Sequence, residues 1–376
     1  MIKRDIPKIR FYSYQGAWTE KRIADMVKIS AGGDVDKIKL KESGKYPVVA
    51  NALTNKGIIG FYDDYKVKAP AVTVTGRGDV GYAVARHENF TPIVRLLTLQ
   101  SENIDVDYLE NQINSMRILN ESTGVPQLTA PQLGNYKVYH PEIEEQSAIG
   151  SLFRTLDDLL SSYKDNLANY QSLKATMLSK MFPKAGQTVP EIRLDGFEGE
   201  WEEKQFSKLV KRVTQSSDSD SLPKVEFEDI ISGQGRLNKD ISSKFDNRKG
   251  IHFKPGYTLY GKLRPYLNNW LLPKFEGVAL GDFWVFDPNG NDSNFIYYLV
   301  QSNRYQKVAN DTSGTKMPRS DWKSVSSTIF AIPQTVAEQQ AIGAYFSNLD
   351  NLINSHQEKI SQLETLKKKL LQDMFI

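Results

Sequence analysis

Residues Gln146-Ser147-Ala148-Ile149-Gly150 return as Gln339-Gln340-Ala341-Ile342-Gly343. From there the match continues without gaps at one offset, 193 residues from Ile149 to Ile342. Phe153 meets Phe346, Leu156-Asp157 meets Leu349-Asp350, and Met181-Phe182 meets Met374-Phe375. A second match precedes it: Pro7-Lys8-Ile9-Arg10, Gly16 and Trp18 return as Pro190-Glu191-Ile192-Arg193, Gly199 and Trp201, 183 residues on. The chain is therefore two copies of one unit. Each copy runs from a P-x-I-R…G-x-W opening, through a divergent body, to a repeated segment. The rise in offset from 183 to 193 places the extra length inside a body.

The repeated segments carry a heptad seam. In the first, Ile149, Phe153, Leu156, Leu160, Tyr163, Leu167, Tyr170, Leu173, Met177 and Met181 recur at steps of three and four, with one slip near Leu173. The second gives Ile342, Phe346, Leu349, Ile353, His356, Ile360, Leu363, Leu366, Leu370 and Met374. A seam sustained over more than four heptads predicts a long helix packed on another helix. Pro141 with Glu142, Glu144 and Glu145 marks the first start, and Pro333 with Glu338 the second. Each helix is about 60 Å long at 1.5 Å per residue. Two units related by an approximate two-fold would pair them antiparallel. In the bodies, Ala71–Thr75, Pro92–Leu99 and Gly281–Phe286 read as strands, and Asp107–Ile118 and Ser293–Val308 as short helices.

Composition excludes more than it selects. The 376 residues contain no cysteine, so disulfides and thiolate-bound zinc are out and a reducing cytoplasm is expected. The basic N-terminus lacks the apolar core of a secretory signal, and no run of about 18 apolar residues suggests a membrane span. The net charge of +3 is too small to name a partner. The four histidines lack metal-ligand spacing, and neither a phosphate-binding G-x-x-x-x-G-K-[ST] loop nor a G-x-S-x-G elbow occurs. Gly76-Arg77-Gly78-Asp79-Val80-Gly81 fits a dinucleotide fingerprint, but Tyr82-Ala83-Val84-Ala85 after it has no helical period. A tight loop is expected there.

Charge is concentrated in two windows. Arg236 to Lys274 holds nine Lys/Arg against two acids, interleaved with Phe245, Phe253, Tyr257, Tyr260, Tyr266 and Trp270. Lys37 to Arg95 holds ten bases against five acids. One such window alone could be a solvated face. One in each copy favours a polyanion, because Lys and Arg neutralising phosphates supply most nucleic-acid affinity.

The layout resembles the specificity subunit of a Type I restriction-modification system, over the whole chain. The most specific parts are the two copies of P-x…E-Q-x-A-I-G-x-x-F-x-x-L-D at Pro141–Asp157 and near Pro333–Asp350. Tyr260-Gly261-Lys262-Leu263-Arg264-Pro265-Tyr266-Leu267 is similar to a segment of that family's target-recognition domains. Thr123-Gly124-Val125-Pro126 and Gly314-Thr315-Lys316-Met317-Pro318 resemble the turn before the last strand of such a domain. The first of these lacks the lysine.

The resemblance implies an α+β fold. Two strand-rich mixed α/β target-recognition domains, 1–140 and 183–332, are separated by two long constant helices, 141–182 and 333–376. The helices pack as an antiparallel coiled coil with a pseudo-two-fold. It also implies a chain with no chemistry of its own that reads an asymmetric bipartite site in double-stranded DNA. The helices would set half-site spacing, at most roughly 18 base pairs at about 3.4 Å per step. They would also dock two modification (methyltransferase) subunits, with restriction (translocase/endonuclease) subunits added. S-adenosylmethionine, ATP and Mg would sit on those partners and no cofactor on this chain.

Lys262, Arg264, Lys316 and Arg319 in the second body, and Lys56 and Arg77 in the first, are the expected DNA contacts. For Tyr260 and Tyr266, base contact and a place in the core are equally open. Trp18 and Trp201 are expected to be structural. Two rivals remain: a coiled-coil scaffold with two protein-binding domains, and the recognition half of a fused enzyme. The start at Met1 and the finish just after the second Met-Phe favour a complete subunit.

Overall fold

The computed structural model describes residues 6–116, 118, 126–242, 247–311 and 316–375. It divides into two compact units. Unit 1 holds residues up to Asp165 together with Glu358 onward, and unit 2 holds Asn166–Gln357. Two long helices, Ile143–Lys180 and Val336–Asp373, each contribute a segment to both units.

Both units are built around a four-stranded antiparallel sheet of one strand order. In unit 1 it runs Lys28–Ala31, Leu97–Gln100, Ala71–Val74, Ala83–Arg86. In unit 2 it runs Lys211–Val213, Phe283–Asp287, Thr258–Gly261, Trp270–Leu271. Ala71–Val74 and Thr258–Gly261 are buried at every position, so these strands read as continuous runs rather than as alternation. A two-stranded ribbon closes each unit, Thr19–Arg22 with Lys137–His140 and Glu202–Gln205 with Ile329–Ile332. The second sheets differ. Unit 1 has three strands (Ile58–Tyr62, Tyr46–Val49, Thr91–Pro92), and unit 2 has four (Ser216–Ser217, Gly250–Phe253, Gly277–Ala279, Lys224–Val225). The sequence divergence of the bodies is thus partly a divergence of topology.

Two expected elements are broken in the structure. Pro92–Leu99 is not one strand: Val94 and Arg95 take left-handed backbone (φ 49° and 62°), and their amides bond Gly33 O and Gly32 O. Thr91–Pro92 and Leu97–Gln100 therefore join different sheets. The helix expected over Ser293–Val308 is two, Ser293–Leu299 and Asn303–Ala309, because Ser302 caps the second through the Tyr305 amide.

Within each unit the long-helix segments pack antiparallel. In unit 1, Lys367 bonds Asp157 and Lys164 bonds Glu364 at 2.7 Å. In unit 2, Lys174 bonds Asp350 at 2.7 Å, and the Tyr170 and His356 rings lie 5.1 Å apart. Partners thus ascend one helix and descend the other. The seam slip now has a cause. Leu173 and Leu366 are exposed, and the inward positions belong to the repeat-related Lys174 and Lys367, whose ammonium groups meet Asp350 and Asp157.

The repeated motif letters fasten body to helix. Arg10 makes a two-pronged bond to Glu145 (2.6 Å each), and Arg193 makes the same bond to Glu338 (2.7 and 2.8 Å). The same guanidiniums donate to Gly16 O and Gly199 O, which explains the P-x-I-R…G-x-W spacing. Gln146 and Gln339 accept from the amides of Asp105 and Asp292. Those aspartates cap helices Val106–Ser115 and Ser293–Leu299. The glycine that follows is a matter of clearance. A Cβ on Gly150 would lie 2.3 Å from Asp105 Oδ1, and one on Gly343 would lie 2.7 Å from Asp292 Oδ1. Gly150→Ala is expected to destabilise unit 1 by about 1–3 kcal/mol, as overpacking does. Chemical denaturation monitored by amide exchange in Val106–Ser115 checks it; unchanged protection there defeats the clearance argument.

Unit 1 also half-buries a carboxyl. Glu110 is pushed up to about 7, first by burial and then by the Asp157 charge. Its folded value lies above the unfolded one, so the folded state holds the proton more tightly. The stability it contributes is complete below about pH 4.5 and lost as pH rises through about 7. Glu110→Gln is expected to match the wild type at about pH 4 and exceed it by on the order of 2 kcal/mol at about pH 8. Thermal unfolding at the two pH values reads this out.

Candidate nucleic-acid interface

In both units the central hairpin projects a tip loop. The loop of unit 1 follows Ala71–Val74 and is closed by Thr75 N donating to Tyr82 O at 3.0 Å. That of unit 2 follows Thr258–Gly261 and is closed by Gly261 N donating to Asn269 O at 2.7 Å.

The two loops are fixed by one bonding scheme. Gly78 N donates to Pro126 O, and Leu128 N to Gly76 O (3.2 and 2.9 Å). In unit 2, Arg264 N donates to Pro318 O, and Ser320 N to Lys262 O (2.7 and 2.8 Å). Single antiparallel bridges join Arg77 to Gln127 and Leu263 to Arg319. Gly76-Arg77-Gly78 thus occupies the place of Lys262-Leu263-Arg264. Gly78 and Arg264 are both left-handed, φ 78° and 48°. The glycines of the nucleotide-like fingerprint serve this turn. The hairpin partner is antiparallel, so the helix a dinucleotide site needs does not follow.

The expected second-body residues come together on the unit 2 tip. Arg264 and Tyr266 are exposed, Lys262 is half-buried, and Lys316 and Arg319 are exposed on the segment bonded to the tip. Tyr266 is 58% exposed, whereas Tyr260 is in the core, stacked on Trp284 at 6.2 Å. Asp282 was missed by sequence reasoning. It pairs with Arg319 at 2.9 Å and lies 3.7 Å from Lys262, and its carboxylate raises Arg319 above the usual guanidinium range. Other cations of the basic window are paired too, Lys239 with Asp229 and Arg248 with Glu226. The window's net charge therefore overstates its field, while Lys249, Lys254 and Lys274 stay exposed.

In unit 1, Arg77 is exposed on its tip and Lys56 on a neighbouring left-handed turn (φ 50°). Lys56 O accepts from the buried Arg86 at 2.6 Å. Asn51 clamps the tip, accepting from Gly76 N at 2.7 Å and donating to Val94 O at 2.6 Å. That clamp brings exposed Arg95 beside the tip, a candidate the sequence offered only as one cation among ten. The Thr123-Gly124-Val125 and Gly314-Thr315 parts of the predicted turns lie outside the described residues. The described remainder leads through a short helix, Ala130–Gly134 or Trp322–Ser327, before the last strand. Among the described residues no cluster of His, Asp or Glu is placed to hold a metal ion, and no helix is long and apolar enough to cross a membrane.

Two bodies of one plan, each rooted on shared helices and each offering a differently furnished tip, define a duplicated recognition protein. The chain belongs to the family of the Type I restriction modification DNA specificity domain, whose model matches residues 15–170 and 221–365. A putative type I specificity subunit of Mycoplasma pneumoniae is 26% identical over 136 residues, 35% of this chain and 37% of that protein. The Type I restriction enzyme MjaVIII specificity subunit of Methanocaldococcus jannaschii is 21% identical over 276 residues, 67% of this chain and 64% of its own. The matched part is thus less than two thirds of the length of either relative. The S subunit crystal structure of a Type I restriction-modification system from M. genitalium has the same fold, with TM-score 0.70 at 15% identity over 99% of both chains.

Proposed function

We propose that the chain is the DNA-reading subunit of a Type I restriction-modification complex, with each unit's tip loop reading one half of an asymmetric bipartite site. The observation that carries this is the pair of equivalent tips. One backbone scheme presents Gly76-Arg77-Gly78 in one unit and Lys262-Leu263-Arg264 in the other. A shared frame with different side chains is what two different half-sequences require. Lys56, Arg77 and Arg95 serve one half, and Lys262, Arg264, Tyr266, Lys316 and Arg319 the other. Bodies 1–140 and 183–332 are the readers; helices 141–182 and 333–376 dock two methyltransferase subunits, with restriction subunits joining them. The chain performs no catalysis. S-adenosylmethionine, ATP and Mg belong to the partners, and the complex works in the cytoplasm.

The test is methylome sequencing of a host carrying the wild type or a tip variant. Arg264→Ala is expected to relax one position of one half-site and weaken binding by about 1–3 kcal/mol. Lys316→Ala is expected to weaken all sequences alike and lower the salt slope by about one. An Arg264→Ala protein with an unchanged motif, affinity and salt slope removes that residue from the interface.

A further inference from the structure

The unit 2 tip carries more than cations. Pro265–Leu267 forms a single 3-10 turn between two left-handed residues, Arg264 (φ 48°) and Asn268 (φ 55°). It is lashed from both sides. Ser232 Oγ donates to Leu267 O, Gly233 N donates to Asn268 O at 3.0 Å, and Arg264 N donates to Pro318 O at 2.7 Å. On this braced turn Tyr266 and Leu267 are 58% and 38% exposed, and Met317, next to Pro318, is 51% exposed. Adjacent large apolar side chains held in water on a rigid tip mark a contact surface. Here they stand among Lys262, Arg264, Lys316 and Arg319. The apex of the equivalent tip of unit 1 offers Gly78, Asp79 and a half-buried Val80; its exposed aromatic, Tyr82, stands at the closing bond to Thr75 and not at the apex.

We propose that Tyr266 and Leu267 form a wedge that enters the duplex between two base pairs and opens one step of the half-site read by unit 2. This rests on the DNA-reading function above and deepens it. Lys316 holds a phosphate, Arg264 reads a base edge beside it, and the apolar pair faces the exposed base. Opening a step works against base stacking, so a wedge must not yield; the two flanking left-handed residues and the lashings supply that stiffness. Sequence selectivity then arises at a step the protein does not hydrogen-bond, because pyrimidine–purine steps open most easily. The unit 1 tip lacks such a pair, so only one half-site is opened.

The experiment uses the chain assembled with its modification subunits and a duplex bearing the site read from the methylome. 2-Aminopurine replaces, in turn, each adenine of both half-sites and their flanks other than the methylated ones, and pyrrolo-cytosine each cytosine, so that every step has a pairing-competent reporter. The expected result is a fluorescence rise at one step of one half-site. Tyr266→Ala and Leu267→Ala abolish the rise and weaken binding roughly tenfold with an unchanged salt slope. Tyr266→Phe retains the rise. Both wedge side chains are exposed, so their loss leaves the fold intact. Specific binding with no rise in either half-site, or a rise that survives the double alanine variant, overturns the wedge while leaving the reading function in place. Absence of sequence-specific binding by the wild type overturns both.

Discussion

Phe375→Ala is expected to cost unit 1 about 3–5 kcal/mol, the range for truncating a buried phenylalanine. The residue sits in the second of the two Met-Phe pairs, yet it completes the core beneath the first body. Its ring lies 5.6 Å from Tyr108 and 5.7 Å from Phe153, and Met374 beside it is 2% exposed. The helix end is held as well, since Ile9 N donates to Asp373 O at 2.9 Å. Phe182, the repeat-related residue, serves unit 2 in the same way, 5.7 Å from Phe295 and stacked on Phe346 at 6.0 Å. The two substitutions should therefore act on different units. Hydrogen exchange reports them separately, because local opening is read amide by amide. Phe375→Ala should release Val106–Ser115 and spare Ser293–Leu299, and Phe182→Ala should do the reverse. Equal loosening of both helices in either variant contradicts this assignment.

The duplication made the long helices and their fastening legible, because each letter of the repeated motif has one mechanical task repeated at two places. Arg10 and Arg193, Glu145 and Glu338, Gly150 and Gly343 could be found by alignment of the chain with itself. The tips were harder. Gly76-Arg77-Gly78 and Lys262-Leu263-Arg264 match at no position; what they share is main-chain bonding to Pro126 and Pro318, and backbone bonds leave no side-chain signature. Charge counting failed for a related reason. Asp282 lies outside the window that was counted, and only folding brings it to Lys262 and Arg319. The Val94–Arg95 kink was invisible because Val94 favours strands and Arg95 carries no turn signal, and bonding to Gly32 and Gly33 overrides that reading.

The buried ion pairs give the sharpest comparison the repeat allows. Glu145 and Glu338 have side chains only 2% and 4% exposed, and each faces one arginine in a fork. Removing the arginine leaves a carboxylate in a poorly hydrated place, which costs about 3–5 kcal/mol. Lysine should not rescue either site, because one ammonium cannot replace two parallel N–H donors plus the third donated to Gly16 or Gly199. The units then diverge at one indole. Trp201 Nε1 donates to Glu338 Oε1 at 3.1 Å, whereas Trp18 Nε1 is buried without a partner. Glu338 therefore keeps a donor after Arg193→Ala, and Glu145 keeps none of this kind after Arg10→Ala. A hydrogen bond to a charged group contributes about 1.5–3 kcal/mol. Arg10→Ala should accordingly be the more damaging by roughly that amount, with its loss confined to unit 1. Trp201→Phe combined with Arg193→Ala should remove the difference. Paired denaturation curves of these variants decide the matter: equal losses in the two single variants would mean that the indole bond carries no weight.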